Sequence, residues 1–416
     1  MKILFVSDTY YPHRNGVYYF VCRLAPLLKE RGHEVAVIAP SETIYSTCKK
    51  IDRIDVYGIP SLPVVYYPNV RFAIPVFQKK RIRYIIEAFR PDIIHVQDHF
   101  ALGRAAIGVS NQLGIPVIGT NHFMTENLTA FVHSEKWKKK LSGILWKKFA
   151  NTYNRVSIVT TPSEWAANLI RPKLKTPVVS ISSGIDLAAF SPGGNSKWIK
   201  EKFGITDKPV LLFVGRLDPE KKLEETLNAV ALALEKIDFC FVVVGKGVEK
   251  AALEKKARDL GISKSVIFTG FVSDAELPYI YGISNCFIIS STAELLSLGT
   301  LQAMAAALPV VAVEAGALSE LIQSGVNGYL YKSGDTKAMA YNIYSVLGQP
   351  ELAAKMAMKS SELVCKHDIC KTVLSFDILY ERVAKSPVHS KLIIDQQPNY
   401  RWPEERLTQH HPGPQF

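Results

Sequence analysis

The chain contains no apolar run that approaches the roughly 18 residues needed to cross a bilayer, no Cys-x-x-Cys pair, and no repeats. Helix-turn-helix, zinc-finger and aromatic ribonucleoprotein patterns are missing as well. The first absence argues against a membrane span, the second against a zinc site or disulfide framework, and the last against sequence-specific nucleic-acid binding. The six cysteines are scattered, with Cys365 and Cys370 the only close pair, which reads as reduced thiols. The opening Met1-Lys2-Ile-Leu-Phe-Val-Ser runs straight into a strand pattern where a signal peptide would need a charged and then an apolar region, so a cytoplasmic protein is expected. Acidic residues are in deficit: 38 Asp and Glu stand against 50 Lys and Arg, a formal charge of +12. That charge narrows the partners to anions, namely a nucleotide sugar, an anionic membrane surface or nucleic acid, the last disfavoured by the missing motifs.

What is present is an α/β chain. Its 416 residues, 48% of them apolar, suffice for two ordinary domains. Strand-like and helix-like segments alternate, the pattern of a doubly wound parallel sheet. One set of strands is expected at 2–7, 34–39, 92–96, 116–120, 157–161 and 177–182. A second set is expected at 209–214, 239–244, 265–269, 286–290, 309–313 and 328–331. Between them, residues 185–196 lose periodicity to Pro, Gly and Ser, which marks a linker. After Thr336 helices are expected to about Lys385, followed by a Pro-, His- and Gln-rich tail over 386–416.

The stretch Ser291-Thr-Ala-Glu294-Leu-Leu-Ser-Leu-Gly-Thr-Leu-Gln302-Ala-Met-Ala-Ala-Ala-Leu-Pro309 carries the sharpest signal. It places a lone carboxylate, Glu294, in the loop between a buried strand and a helix expected over 300–307, where open parallel sheets bind ligands. Leu211-Leu-Phe-Val-Gly215-Arg216-Leu-Asp-Pro-Glu-Lys221 ends another strand in a glycine and sets two cations where they can converge on a diphosphate. Asn15-Gly16 precedes an amphipathic helix whose N-terminus favours phosphate, although a plain turn accounts for Gly16 equally well. Gly245-Lys-Gly247 reads as a structural turn, and Asp186 as a residue that caps or fixes the hinge. His122, in Gly119-Thr-Asn-His122-Phe-Met-Thr-Glu126-Asn127, follows a buried strand; a structural and a site role balance evenly.

A further segment, 134–149, sets Trp137, Leu141, Ile144, Leu145 and Phe149 along one helical stripe with six lysines around it, Lys138, Lys139 and Lys140 among them. Such a helix can lie on an anionic bilayer. It can equally be an ordinary helix with its stripe on the core. Lys79-Lys80-Arg81-Ile-Arg83 gives a second basic cluster, either part of the same surface or a solvated face.

With the acidic segment, the Gly215-Arg216 loop, Asn15-Gly16, Asn121-His122 and Ser183-Gly184-Ile-Asp186 in this order, the chain resembles the retaining glycosyltransferases of family 4 over nearly its whole length. The resemblance implies a GT-B architecture, two Rossmann-like doubly wound parallel-sheet domains facing across a cleft. An acceptor-binding domain would span 1–184, the linker 185–196, a nucleotide-sugar-binding domain 197–370 and a helix crossing back to the first domain 371–385. It implies that Arg216 and Lys221 bind the donor diphosphate and stabilise its departing charge without a metal or other cofactor. Gly16, Asn15 and Gly215 would meet the phosphates, Glu294 the sugar hydroxyls, the backbone of Leu296, Ser297 and Leu298 the sugar or phosphate, and His122 the pocket beside the reacting sugar. Three positions depart from the family pattern. Gln302 stands where a carboxylate usually holds the ribose, Leu295-Leu296-Ser297 replaces Gly-Phe-Gly, and Ala307 replaces a glycine. The Ala-Glu-Leu-x-Ser and Asn-His-Phe-Met-x-Glu-Asn segments are similar to the lipid branch of the family, which includes diacylglycerol glucosyltransferases and lipid mannosyltransferases. For this chain that implies a hexosyltransferase moving a sugar, glucose from UDP by preference, to a lipid such as diacylglycerol. The enzyme would be peripheral at the inner face of the cytoplasmic membrane, with Trp137, Lys138 to Lys140, Leu141 and Leu145 toward the bilayer. A soluble or polyprenyl-linked glycan acceptor, or a weakly catalytic binding subunit, are the alternatives.

Overall fold

The structure, a computed structural model, describes residues 1–13, 15–64, 67–124, 134–190 and 197–385. The expected tail 386–416, positions 191–196 of the expected linker and residues 125–127 of the His122 segment lie outside the described residues. The chain divides into two compact units: the described residues of 1–124, 134–184 and 369–385 form one, and those of 185–368 the other.

The first unit is built on an eight-stranded sheet. In chain order its strands are β1 (Lys2–Val6), β2 (Glu34–Pro40), β3 (Thr47–Ile51), β4 (Ile54–Ile59), β7 (Ile93–Val96), β8 (Val117–Thr120), β9 (Ile158–Thr161) and β10 (Val178–Ser180). A separate antiparallel ribbon pairs β5 (Ser61–Val64) with β6 (Tyr67–Ala73). The sheet order is β10-β9-β8-β7-β1-β2-β4-β3, parallel except for the β3–β4 pair. Chain order reverses between β1 and β7, which creates a switch point at their carboxyl ends. Beyond the partly exposed Lys2 at the start of β1, each of these two strands is a buried apolar run apart from His95, as parallel strands covered on both faces require. The last described helix, Ile369–Lys385, belongs to this unit. Its Phe376, Leu379, Tyr380 and Val383 are buried, and Asp377 receives Arg31 and His33 at 2.8 and 2.9 Å.

The second unit holds β11 (Val210–Val214), β12 (Cys240–Val244), β13 (Val266–Gly270), β14 (Cys286–Ile289), β15 (Val310–Val313) and β16 (Gly328–Tyr331). All pairs are parallel in the order β13-β12-β11-β14-β15-β16, the dinucleotide-fold order, with the switch point between β11 and β14. Phe213, Phe239, Phe241 and Phe287 are almost completely buried in its core. Each contributes roughly 1.5–3 kcal/mol by leaving water.

The strands expected from sequence are all present, with ends that match or differ by at most two residues. The helix expected over 300–307 is Leu298–Ala305, two residues earlier, because Ser297 caps it by accepting the Thr300 N–H at 3.2 Å. Four strands between residues 47 and 73 were not expected. Strand β3 reads Thr-Cys-Lys-Lys-Ile and is mostly exposed, so it has little apolar signature. Its turn to β4 runs through Asp52 and Arg53, both at positive φ (48° and 66°), without the Asn-Gly or Asp-Gly pair that usually marks such a hairpin.

Candidate active site

Glu294 and Lys221 meet at the switch point of the second unit. Lys221 belongs to a short 3-10 turn, Pro219–Lys221, between β11 and the helix Leu223–Leu234. The hydroxyl of Ser290, just past β14, donates to the Lys221 carbonyl at 2.7 Å and lies 2.8 Å from the Thr226 hydroxyl, tying that turn to the sheet edge. Glu294 sits in the loop after β14, where the Ala317 N–H donates to its carbonyl at 3.1 Å. Gly316, at φ 58°, passes so close that a Cβ there would lie 2.8 Å from the same oxygen. With both backbones fixed, Lys221 Nζ donates to Glu294 Oε1 at 2.5 Å, and both side chains are largely shielded, at 17% and 12% exposure. A shielded ammonium–carboxylate pair at a strand-end crevice offers one cation for a diphosphate and one acceptor for sugar hydroxyls.

Arg216 directly follows Gly215 at the end of β11, but its guanidinium turns to Asp218 and Glu220 and does not contact the Lys221–Glu294 pair. The Arg216 side chain is well exposed, and exposed pairs of this kind are held weakly, so an arriving phosphate can compete for the arginine. The Gly245-Lys-Gly247 turn is structural: a Cβ at Gly245 would fall 1.8 Å from the Gly215 carbonyl oxygen, and one at Gly247 would fall 2.2 Å from that of Leu217. These two glycines let the loops after β11 and β12 lie against each other. Lys246 and the exposed Phe271, 5.8 Å apart as a cation over a ring, stand at the same carboxyl edge and were not singled out in the sequence.

The helix Leu298–Ala305 begins against the end of β11, where a Cβ at Gly299 would meet the Val214 carbonyl oxygen at 3.2 Å. Its first amides, beginning at Leu298, have no partner within the helix, as at any helix start. Leu296 and Leu298 are partly buried against the core, while Ser297 is engaged as the cap. One turn further on, Gln302 is buried, and its Oε1 accepts the Tyr281 hydroxyl at 2.9 Å. Burial holds that phenol protonated, well above its usual range, so it is a steady donor. Gln302 is thus anchored by a neutral residue and does not touch Glu294. Ala307 adopts φ 55°, the left-handed conformation that the family's usual glycine takes without strain.

In the first unit, Asn15 caps the helix Gly16–Glu30 by accepting the Tyr18 N–H at 3.0 Å. A Cβ at Gly16 would meet nothing within 4 Å, so no internal contact requires the glycine. His122 lies 2.9 Å from Gln97 Oε1 through Nε2, and its ring packs tilted against Phe20 with centroids 5.0 Å apart. Burial pushes the imidazole down to about 3, so it is neutral near pH 7 and a donor to the glutamine oxygen.

The sequence reading overlooked a buried carboxyl pair beside these residues. Asp8, past β1, accepts the N–H groups of Leu102 and Gly103 at 2.8 and 3.0 Å, in the first turn of the helix Ala101–Leu113. Asp98, past β7, accepts the Asp8 N–H at 3.2 Å. Burial raises Asp8 to about 6; burial and the neighbouring Asp8 raise Asp98 to about 7. The two residues are 90 positions apart and meet only because β1 and β7 are neighbours across the switch point. Asp186 accepts the Ala189 N–H at 3.1 Å and so caps the 3-10 turn Ala188–Phe190. Among the described residues no group of three or more His, Cys, Asp or Glu is placed to hold a metal ion.

The basic helix, Glu135–Tyr153, divides along its length. At its C-terminal half Phe149 and Tyr153 are buried, with the Trp146 ring 5.1 Å from Phe149, so that part of the stripe packs inward. At the N-terminal half Trp137 is exposed under Lys140 at 5.0 Å, and Lys139 faces solvent. Leu141 and Leu145 are half-buried, and the side chain of Lys138 lies outside the described residues.

Two family models match the chain: that of Glycosyltransferase Family 4 over residues 14–189 and that of Glycosyl transferases group 1 over residues 195–362. An alpha-monoglucosyldiacylglycerol synthase of Streptococcus pneumoniae is 32% identical over 342 residues, covering 80% of this chain and 75% of that protein. The chain belongs to glycosyltransferase family 4. A second alpha-monoglucosyldiacylglycerol synthase, from Acholeplasma laidlawii, is 27% identical over 88% of this chain and 93% of its own length. A GDP-mannose-dependent alpha-mannosyltransferase of Mycolicibacterium smegmatis is 26% identical over 79% and 84%. Among solved structures, sucrose-phosphate synthase from Thermosynechococcus elongatus superposes with a TM-score of 0.74 at 18% identity, covering 92% of this chain and 98% of that one. Anabaena HepE in complex with UDP and glucose gives 0.74 at 18%, covering 92% and 100%. These likenesses establish the fold class as GT-B, built from two Rossmann-like α/β units. The family 4 enzyme described here is a hexosyltransferase.

Proposed function

We propose that this enzyme is a retaining transferase that moves glucose from UDP-glucose to a hydroxyl of a membrane lipid such as diacylglycerol, working as a peripheral protein at the cytoplasmic membrane face. The observation that carries the reading is the shielded Lys221–Glu294 pair at the switch point of the second unit. In this reading Lys221, joined by Arg216, holds the diphosphate and stabilises the charge that develops as it leaves, with no metal required. Glu294 and the backbone of residues 296–298 orient the sugar, and Gln302 reaches the ribose. Asn15 and Gly16 bring their loop to the phosphates, and neutral His122 lines the pocket beside the sugar. The bond from the anomeric carbon to the phosphate oxygen breaks, and a bond to the acceptor oxygen forms on the same face. The acceptor proton passes to the departing phosphate. No carboxylate pair like that of a glycosidase is then needed. The names of the relatives support a lipid acceptor, two being glucosyl-diacylglycerol synthases. A GDP-mannose donor is the second reading, favoured by mannosyltransferases at 24–26% identity.

The test is mass spectrometry of lipid extract incubated separately with UDP-glucose, UDP-galactose and GDP-mannose, beside a Glu294→Ala control. A hexose added to diacylglycerol from UDP-glucose only when Glu294 is present is the expected result. Transfer from GDP-mannose alone would overturn the donor, and nucleotide release without lipid product would overturn the acceptor. No turnover of any donor would leave a binding subunit.

A further inference from the structure

At the carboxyl edge of the first unit's sheet, buried polar groups gather without partners. Among the described residues Thr9 Oγ1, Gln97 Nε2, His99 Nδ1, Asn121 Nδ2 and Thr161 Oγ1 are shielded from solvent and make no hydrogen bond. Each lies at or just past the carboxyl end of β1, β7, β8 or β9, the end at which open α/β sheets bind ligands. A buried donor left unpaired is costly, so such groups mark places where a ligand or water completes the bonding. Gln97 is the best defined of them. It follows β7 at the switch point, its own N–H donates to the Val6 carbonyl at 2.8 Å, and the residue is fully buried. His122 Nε2, 2.9 Å from Gln97 Oε1, occupies the oxygen side of the carboxamide and leaves both hydrogens of the amide nitrogen free. The imidazole is backed by Phe20, and Phe20 by Phe376 of the last helix, with ring centroids 5.0 and 5.6 Å apart. Burial keeps that imidazole neutral, its pKa pushed down to about 3, so it gives the glutamine an N–H and no charge. Asn121 repeats the pattern on the next strand: its Oδ1 accepts the Phe123 N–H at 3.2 Å, and its nitrogen is the free end.

We propose that Gln97 is a substrate-contacting residue whose Nε2 donates to a hydroxyl oxygen of the transferred sugar or of the acceptor, and that His122 is the positioning residue that turns the amide to do so. The free groups at this edge are amide nitrogens, hydroxyls and a neutral ring nitrogen, with no ammonium or guanidinium among them. They fit a neutral hydroxyl, not a phosphate. Because its oxygen is already taken, the glutamine can only give hydrogen bonds in its free direction, and a substrate without the matching oxygen leaves that donor buried and unpaired. The inference rests on the transfer reaction proposed above, but it does not depend on which nucleotide sugar or lipid is used.

Two substitutions test the contact. Gln97→Glu keeps an oxygen for His122 and removes the free N–H groups, whereas Gln97→Met removes both, and thermal unfolding checks that each variant folds. Each should lower kcat/KM about tenfold with the nucleotide sugar that wild type turns over best. If the sugar supplies the hydroxyl, donor hydrolysis without acceptor should fall along with transfer. In a series of donors each lacking a single sugar hydroxyl, one should then be handled equally by wild type and Gln97→Glu. If the acceptor supplies the hydroxyl, transfer alone should fall. Rates for Gln97→Glu within about twofold of wild type in both reactions would overturn the proposal. So would a loss in both reactions that no deoxy donor cancels, which would mark a structural residue or one that binds water only. The side-chain amide signal of Gln97 in 15N NMR, identified by its loss in Gln97→Met, reports the contact without turnover. It should move when nucleotide sugar or micelles of short-chain diacylglycerol are added to wild type, and should stay in place in His122→Leu. An unmoved signal in wild type would overturn the contact, and an equal movement in His122→Leu would overturn the positioning role. If wild type turns over no donor while the signal still moves, the functional reading fails and the contact stands.

Discussion

Replacing Lys221 by Met separates the structural from the catalytic contribution of the central ion pair. The pair lies between two limits, because its side chains are 17% and 12% exposed. Exposed pairs contribute about 0.2–1 kcal/mol, whereas breaking a buried pair costs about 3–5 kcal/mol through the charge left behind. About 2 kcal/mol is therefore expected for Lys221→Met, since Glu294 keeps its charge without the ammonium 2.5 Å away. For a unit of this size that lowers the melting temperature by roughly 4–8 °C. Glu294→Gln should cost a similar amount, and the double variant should recover part of the loss because no lone charge remains. Catalysis should behave differently. Losing one preorganised donor to a developing charge costs about 10²–10³ in kcat, and groups that act as a unit are not additive. The double variant should stay as slow as the slower single variant while its stability recovers. Calorimetry paired with donor turnover, read as nucleotide release, measures both. If turnover recovers with stability to within about threefold of wild type, the pair holds the loop and does not serve the chemistry.

Ala307→Gly should raise stability by about 1 kcal/mol, because it removes a Cβ from φ 55°, a gain read from denaturant midpoints. Gly16→Ala should leave the melting temperature unchanged, its Cβ entering open space, yet raise the donor KM several-fold; Gly247→Ala should destabilise by about 2 kcal/mol or more, since its Cβ would sit 2.2 Å from a backbone oxygen. The Asp8–Asp98 pair gives a pH dependence whose sign follows from burial. Raised to about 6 and 7, these carboxyls hold more protons in the folded than in the unfolded chain between about pH 4 and 7, so their contribution to stability falls as pH rises through that window. Asp98→Asn should therefore shrink the difference between melting temperatures at pH 5 and pH 8 relative to wild type. An unchanged difference would refute the assignment.

Much of the fold was legible because buried parallel strands are short apolar runs ended by Gly, Ser or Asp. Cys286–Ile289 and Val310–Val313 announce themselves, as does the loop after the first of them that carries Glu294. The β3–β4 hairpin was not legible, since two lysines hide the strand and Asp52-Arg53 is a turn without glycine. Lys221 and Glu294 could be nominated separately from their loops, but their 2.5 Å contact depends on Ser290 and Thr226 fixing a turn that is 69 residues from Ser290 in sequence. The partner of Gln302 was invisible for a similar reason. Tyr281 reads as one more apolar position in a short helix, and only the packed structure turns its hydroxyl onto the amide. Asp8 and Asp98 share no motif and meet through strand order alone.

The measurement that bears most directly on the functional claim is the anomeric configuration of the product formed by wild-type enzyme from UDP-glucose and diacylglycerol, read by proton NMR. Retaining transfer predicts a single glucosyl lipid with the small H1–H2 coupling of an α-glucoside, absent when Glu294 is replaced by Ala. The large diaxial coupling of a β-glucoside would contradict retention and the same-face departure of the phosphate on which the roles of Lys221 and Arg216 rest.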